Sequence, residues 1–187
     1  MTAGQSGRIP DESAQEGGDE AASSLLLVPE DVWRGLLGHL TAAAPLEGVG
    51  LLGGRDDGAT VRAEAFYPGS NVDASPTRYT MEPAEVLAAF RAMEAAGGRL
   101  VAIVHSHPSS PPIPSVTDLV EARYPDAFLL IVGLAGAEPL ARCWRLIPGR
   151  NAGSWEAAES RVVVEGRPPE PAERTRNVGP GRMRGDG

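Results

Sequence analysis

Five apolar residues, Leu100-Val101-Ala102-Ile103-Val104, run without a break into His105-Ser106-His107-Pro108, and no other stretch of the chain restricts the fold as tightly. A short uninterrupted apolar run of this kind reads as a buried strand. Side chains alternate along a strand, so His105 and His107 project to one side while Ser106 points to the other. Two imidazoles one strand step apart can close on a single metal ion. Prolines at positions 108, 111, 112 and 114 stiffen the connection that follows, and Ser115-Val116-Thr117-Asp118 then opens a helix. Asp118 returns from the start of that helix as a third ligand. Two His and one carboxylate, with no fourth protein ligand on offer, match a catalytic metal site with an open position. Plainer readings exist for each half. A His near a core strand is commonly a hydrogen-bonded core residue, and Ser115 to Asp118 also fits a capping box that merely satisfies free backbone N–H groups. The conjunction of both halves, with a Glu available upstream, favours the metal.

At these residues the sequence resembles the JAMM/MPN-plus metalloprotease family, whose signature is His-x-His-Pro, six residues, then Ser-x-x-Asp. The segment Glu47-Gly48-Val49-Gly50-Leu51-Leu52-Gly53 is similar to the upstream part of that signature. Asn71-Val72-Asp73-Ala74-Ser75-Pro76-Thr77-Arg78-Tyr79 resembles bacterial, stand-alone members. The likeness covers about residues 26–148. It implies an α/β (α+β) domain of three layers, a mixed sheet flanked by helices in the cytidine-deaminase-like manner. Interspersed strands and helices in the sequence point the same way.

The resemblance also implies the site. His105, His107 and Asp118 would hold one Zn2+ per chain, Glu47 would act as general base and then acid, and Ser115 would donate a hydrogen bond to a developing oxyanion. Position alone leaves Glu47 open as an exposed carboxylate at a strand end; the metal motif is what promotes it. A metal held this way lowers the pKa of a bound water to about 7, within reach of a carboxylate base at neutral pH. The implied reaction is amide or isopeptide hydrolysis after the C-terminal Gly-Gly tail of a ubiquitin-like or sulfur-carrier protein, a tail that can lie against a sheet edge. Deubiquitinating relatives carry an insertion after the metal motif, whereas Asp118 here is followed within nine residues by the next expected strand. That departure favours a sulfur carrier, with release of an amino acid or trimming of the tail. The alternatives are a non-catalytic MPN-type scaffold, and a peptidase for small peptides. A nucleobase deaminase would need a Pro-Cys-x-x-Cys pair that a single cysteine does not supply.

Composition narrows the partners. The net charge of −8 argues against nucleic acid or an anionic membrane as principal partner, since both reward a basic face. All 17 basic residues are Arg, which codon bias in a GC-rich bacterial genome explains. The lone Cys143 rules out an internal disulfide and a thiolate zinc cluster, and its alternating surroundings make it a core thiol. No stretch is apolar for long enough to span a membrane, and the acidic N-terminus lacks the features of a secretory signal, so a cytoplasmic protein is expected.

Along the chain, residues 1–24 and 166–187 have the composition of disordered tails around one domain at 25–165. Pro29-Glu30-Asp31 opens a helix with Val32, Leu36, Leu37 and Leu40 on its apolar stripe. His39 on that helix is expected at the surface or its boundary. Glu47 is expected to open a strand through Leu52, paired in a hairpin with residues 60–66 across Arg55-Asp56-Asp57-Gly58. A loop spans 68–78, and a short strand is expected at 78–81. Pro83 starts a second helix with Val86, Leu87, Phe90 and Met93 on one face and Gly97-Gly98 as its stop. After the metal strand (99–106) come a short helix at 115–123 and strands at 128–132 and 139–147. Residues 155–164 are left open between helix and strand.

Overall fold

The apolar run around residue 100 forms a strand at the centre of the sheet. The computed structural model describes residues 25–58 and 60–166. In chain order the elements are β1 (Leu25–Val28), α1 (Glu30–Ala43), β2 (Val49–Asp56), β3 (Thr60–Gly69), α2 (Pro83–Ala95), β4 (Arg99–His107), α3 (Val116–Val120), β5 (Phe128–Gly133), β6 (Leu140–Pro148) and β7 (Trp155–Val164). The two expected tails lie outside the described residues, apart from Gly166. Among the described residues no helix is long and apolar enough to cross a membrane.

The sheet runs β1-β3-β2-β4-β5-β6-β7. β4 pairs antiparallel with β2 and parallel with β5, so it is flanked on both sides. The class is α+β with a mixed sheet, as expected, and the sheet closes on itself, a feature the sequence reading left unaddressed. The four residues of β1 make the closure, pairing in parallel with β3 on one side and β7 on the other. Leu26 and Val28 of β1 are fully buried in the core. A four-residue run is too short to show a period, so its strand role cannot be read ahead of its partners.

Helices cover the two faces. Val32, Trp33, Leu36 and Leu40 of α1 share one apolar cluster with Leu52, Ala102, Val104, Leu130 and Val132. Ala89 and Met93 of α2 share another with Val49, Leu51, Met81 and Leu100. The α2 stripe is Val86, Ala89, Phe90 and Met93, at i, i+3, i+4 and i+7. Leu87, expected on that face, is instead exposed, one residue out of register with the stripe. Gly97 (φ +67°) ends α2 in a Schellman motif, Gly98 N–H donating to Met93 O and Gly97 N–H to Glu94 O. Residues 78–81 form no strand; only an Asn71–Met81 bridge remains of it. Residues 155–164 are a strand, β7, which β6 and β1 hold on either side.

Candidate metal centre

The alternation of β4 sends Ala102 and Val104 toward α1, and Ile103 toward α2 and Trp144. His105 and His107 follow Ile103, and both are buried. Their Nε2 atoms are 3.1 Å apart. Asp118 Oδ1 lies 3.6 Å from His105 Nε2, and Asp118 Oδ2 lies 3.9 Å from His107 Nε2. One ligand atom from each of the three residues lies within 4.8 Å of the others.

The chemistry of this donor set fits a cation. His107 Nδ1 is 2.7 Å from the Pro111 carbonyl, which can only accept, so Nδ1 carries the proton and Nε2 presents a bare lone pair. His105 Nδ1 is buried without a hydrogen-bond partner. With a proton on that Nδ1, two Nε2 lone pairs face each other beside a carboxylate. With the proton on Nε2, Nδ1 is a buried acceptor left unmatched. A metal ion between Nε2, Nε2 and the carboxylate removes the first conflict. The ring of Tyr79 lies over His105 at 4.5 Å between centroids and holds it in place of a second hydrogen bond.

Asp118 caps and converges at once. Its Oδ2 accepts from Ser115 N–H at 2.6 Å, and Ser115 Oγ accepts from Asp118 N–H at 3.1 Å, a capping box opening α3. The helix is Val116–Val120, shorter than the expected 115–123. The two readings of Ser115 to Asp118 are therefore one structure: the cap fixes the rotamer that turns the carboxylate toward the imidazoles. Burial pushes the Asp118 carboxyl up, but the neighbouring His105 imidazole, with the Ser115 hydrogen bonds, outweighs it and holds the pKa at about 2. For His107, burial and the neighbouring His105 push the imidazole down, against the opposing pull of Pro111 and Asp118.

Glu47 lies in the connection before β2 rather than opening that strand, and is only 5% exposed. Burial raises its carboxyl to about 7, with His105 lowering it and Asp118 raising it. Sequence reasoning missed what holds it there. Ser106, the residue pointing away from the metal face, accepts from Gly48 N–H through Oγ at 2.9 Å. Its own N–H donates to Gly48 O, also at 2.9 Å. Glu47 N–H donates to Ser75 O, and Asn71 Nδ2 donates to Glu47 O at 3.0 Å. Asn71 Oδ1 also accepts from Asp73 and Thr80, so one side chain organises the 70–82 loop beside the site. The sequence placed a loop at 68–78 and marked 71–79 as family-like, without assigning it a role beside the site. His39 stands outside the cluster, donating from Nε2 to Val49 O and Gly69 O. Cys143 is fully buried, and burial pushes its thiol pKa far up, as a core thiol requires.

Comparison with known proteins points one way. Residues 29–147 match the profile described as prokaryotic homologs of the JAB domain. The chain is 42% identical over 101 residues to a probable TtuB-protein conjugate cleaving protease of Thermus thermophilus, covering 54% of this chain and 65% of that protein. It is 34% identical over 108 residues to a CysO-cysteine peptidase of Mycobacterium tuberculosis, covering 58% of this chain and 73% of that one. The match thus spans a little under two thirds of the Thermus relative's length. A solution structure from Desulfitobacterium hafniense superposes with a TM-score of 0.65 at 30% identity, covering 75% of this chain and 92% of that one.

Proposed function

The chain belongs to the family of prokaryotic homologs of the JAB domain, and on that premise we propose that it is a zinc-dependent peptidase. Its substrate would be an amide or isopeptide bond after the Gly-Gly tail of a ubiquitin-like or sulfur-carrier protein. The observation that carries the reading is the convergence of His105, His107 and Asp118, three ligand atoms within 4.8 Å of one another. The names of the relatives, one a probable TtuB-protein conjugate cleaving protease and one a CysO-cysteine peptidase, support a peptidase acting on protein conjugates.

His105 Nε2, His107 Nε2 and Asp118 would hold the zinc ion, which when bound supplies Lewis acidity, making a water more acidic and polarising a carbonyl. Asp118, kept in the strong-acid range, enters as a full negative charge at any physiological pH. Glu47, its carboxyl pushed up by burial and drawn back by a bound cation, takes a proton from the attacking water and returns it to the departing nitrogen. Ser115 Oγ already accepts from Asp118 N–H, so its own proton is available for the oxygen that gains charge.

The test pairs metal content with product masses. Purified protein should contain about one zinc per chain by elemental analysis. With sulfur carriers of the same genome bearing Gly-Gly-X ends, mass spectrometry should find X released by wild type and not by Glu47→Gln. Intact tails, or equal cleavage by the Glu47→Gln variant, refute the peptidase reading. Protein without bound metal returns the chain to the scaffold class.

A further inference from the structure

We propose that Trp144 is a positioning residue for His107, acting through the Pro111–Pro112 peptide to fix which imidazole nitrogen faces the metal. The inference rests on the metal reading above.

The connection after β4 has little backbone to hold it. Four of its residues from 108 to 114 are proline and lack an N–H. Its carbonyls do the orienting. Pro111 O accepts from His107 Nδ1 at 2.7 Å and also from Ile113 N–H at 2.8 Å, a three-residue turn about Pro112. The next carbonyl, Pro112 O, accepts from the buried Trp144 Nε1–H at 3.2 Å. This bond ties the turn to β6. A second contact seats the proline ring on β5: a Cβ at Gly133 would lie 2.9 Å from Pro112 Cδ, so only glycine lets the ring settle there.

Trp144 is itself held. It is 5% exposed, packs with Leu129 and Ile131, and has Ile113 of the same turn against its cluster. The Arg142 guanidinium lies 4.9 Å from its ring centroid and pairs with Glu159. A rigid indole thus fixes Pro112, and Pro112 fixes the direction of the Pro111 carbonyl. That carbonyl keeps the proton on Nδ1 and leaves Nε2 bare. Partners one bond beyond a ligand typically change metal affinity by about 10–100-fold when removed; Trp144 stands one link further out, so about tenfold is expected.

Trp144→Phe keeps an aromatic ring, though a smaller one, and removes the donor, and Gly133→Ala displaces Pro112 from the other side. In metal-free protein at pH 8, 15N NMR of the imidazoles should show a single Nδ1–H tautomer of His107 in wild type and a mixture in both variants. Zinc competition against a chromogenic chelator should show binding about tenfold weaker in both. Cys143→Ala, which removes core volume on the opposite face of the same strand, controls for lost stability and should keep the wild-type tautomer and affinity. A wild-type tautomer or wild-type zinc affinity in Trp144→Phe overturns the proposal, as does an equal loss in Cys143→Ala. Wild-type protein that takes up no zinc refutes the metal reading instead, and the tautomer measurement still decides this one.

Discussion

Glu47 should destabilise the metal-free protein at neutral pH, and Glu47→Gln should relieve it. Burial raises its carboxyl from 4.5 to about 7. A carboxyl whose pKa is higher in the folded state binds its proton more tightly there than in the unfolded chain. Folding stability therefore falls as pH rises from about 4.5 to about 7, the reverse of an ordinary paired carboxylate. At 1.36 kcal/mol for each pH unit, the loss at pH 8 is about 3 kcal/mol. For a chain of this size that corresponds to roughly 10 °C in melting temperature. Gln is neutral at every pH and of the same shape, so the variant should lack this slope. With EDTA present, Glu47→Gln should melt about 10 °C above wild type at pH 8, and together with it at pH 4. Zinc should narrow the gap, because a cation beside Glu47 favours its charged form. Melting curves that run parallel across the whole range, or a wild type more stable than the variant at pH 8, refute the argument from burial. A residue that weakens the empty fold while cleavage depends on it would be the signature of a group kept for chemistry.

Asp118→Asn keeps an oxygen for the Ser115 N–H while Asp118→Ala removes it; both should lose zinc by elemental analysis, and the Ala variant should be less stable by about 1 kcal/mol in urea melts. Ser106→Ala leaves the Gly48 N–H buried without its Oγ partner, at a cost of about 1–3 kcal/mol by chemical denaturation, with a fall in turnover because Glu47 adjoins that bond. Cys143, fully buried with its thiol pKa raised, should resist iodoacetamide at pH 8 in native protein and react once denatured, as intact mass would report.

The clustering of His105, His107 and Asp118 was legible because its parts are local. Strand alternation fixes His105 and His107 on one side, and the capping box fixes Asp118 at the start of α3. Glu47 was legible only through the motif around it, since its burial comes from β4 and the 70–82 loop, which are distant in sequence. Trp144 could not be foreseen: its indole reads as core, and its partner carbonyl lies 32 residues away. The same limit hid the closure of the sheet. Leu25–Val28 is a fragment of strand whose meaning depends on β3 and β7 being on either side. Leu87 went astray for a different reason, since an apolar residue adjacent to a true stripe position blurs the period.

The short closing strand has a consequence for handling and for evolution. β1 joins the first residues of the domain to its last strand, so losing Leu25–Val28 would bare the rims of β3 and β7 at one stroke. Rows of unmatched amide groups recruit neighbouring molecules into fibrils and precipitates. Expression variants that begin after residue 28 should therefore clump in storage.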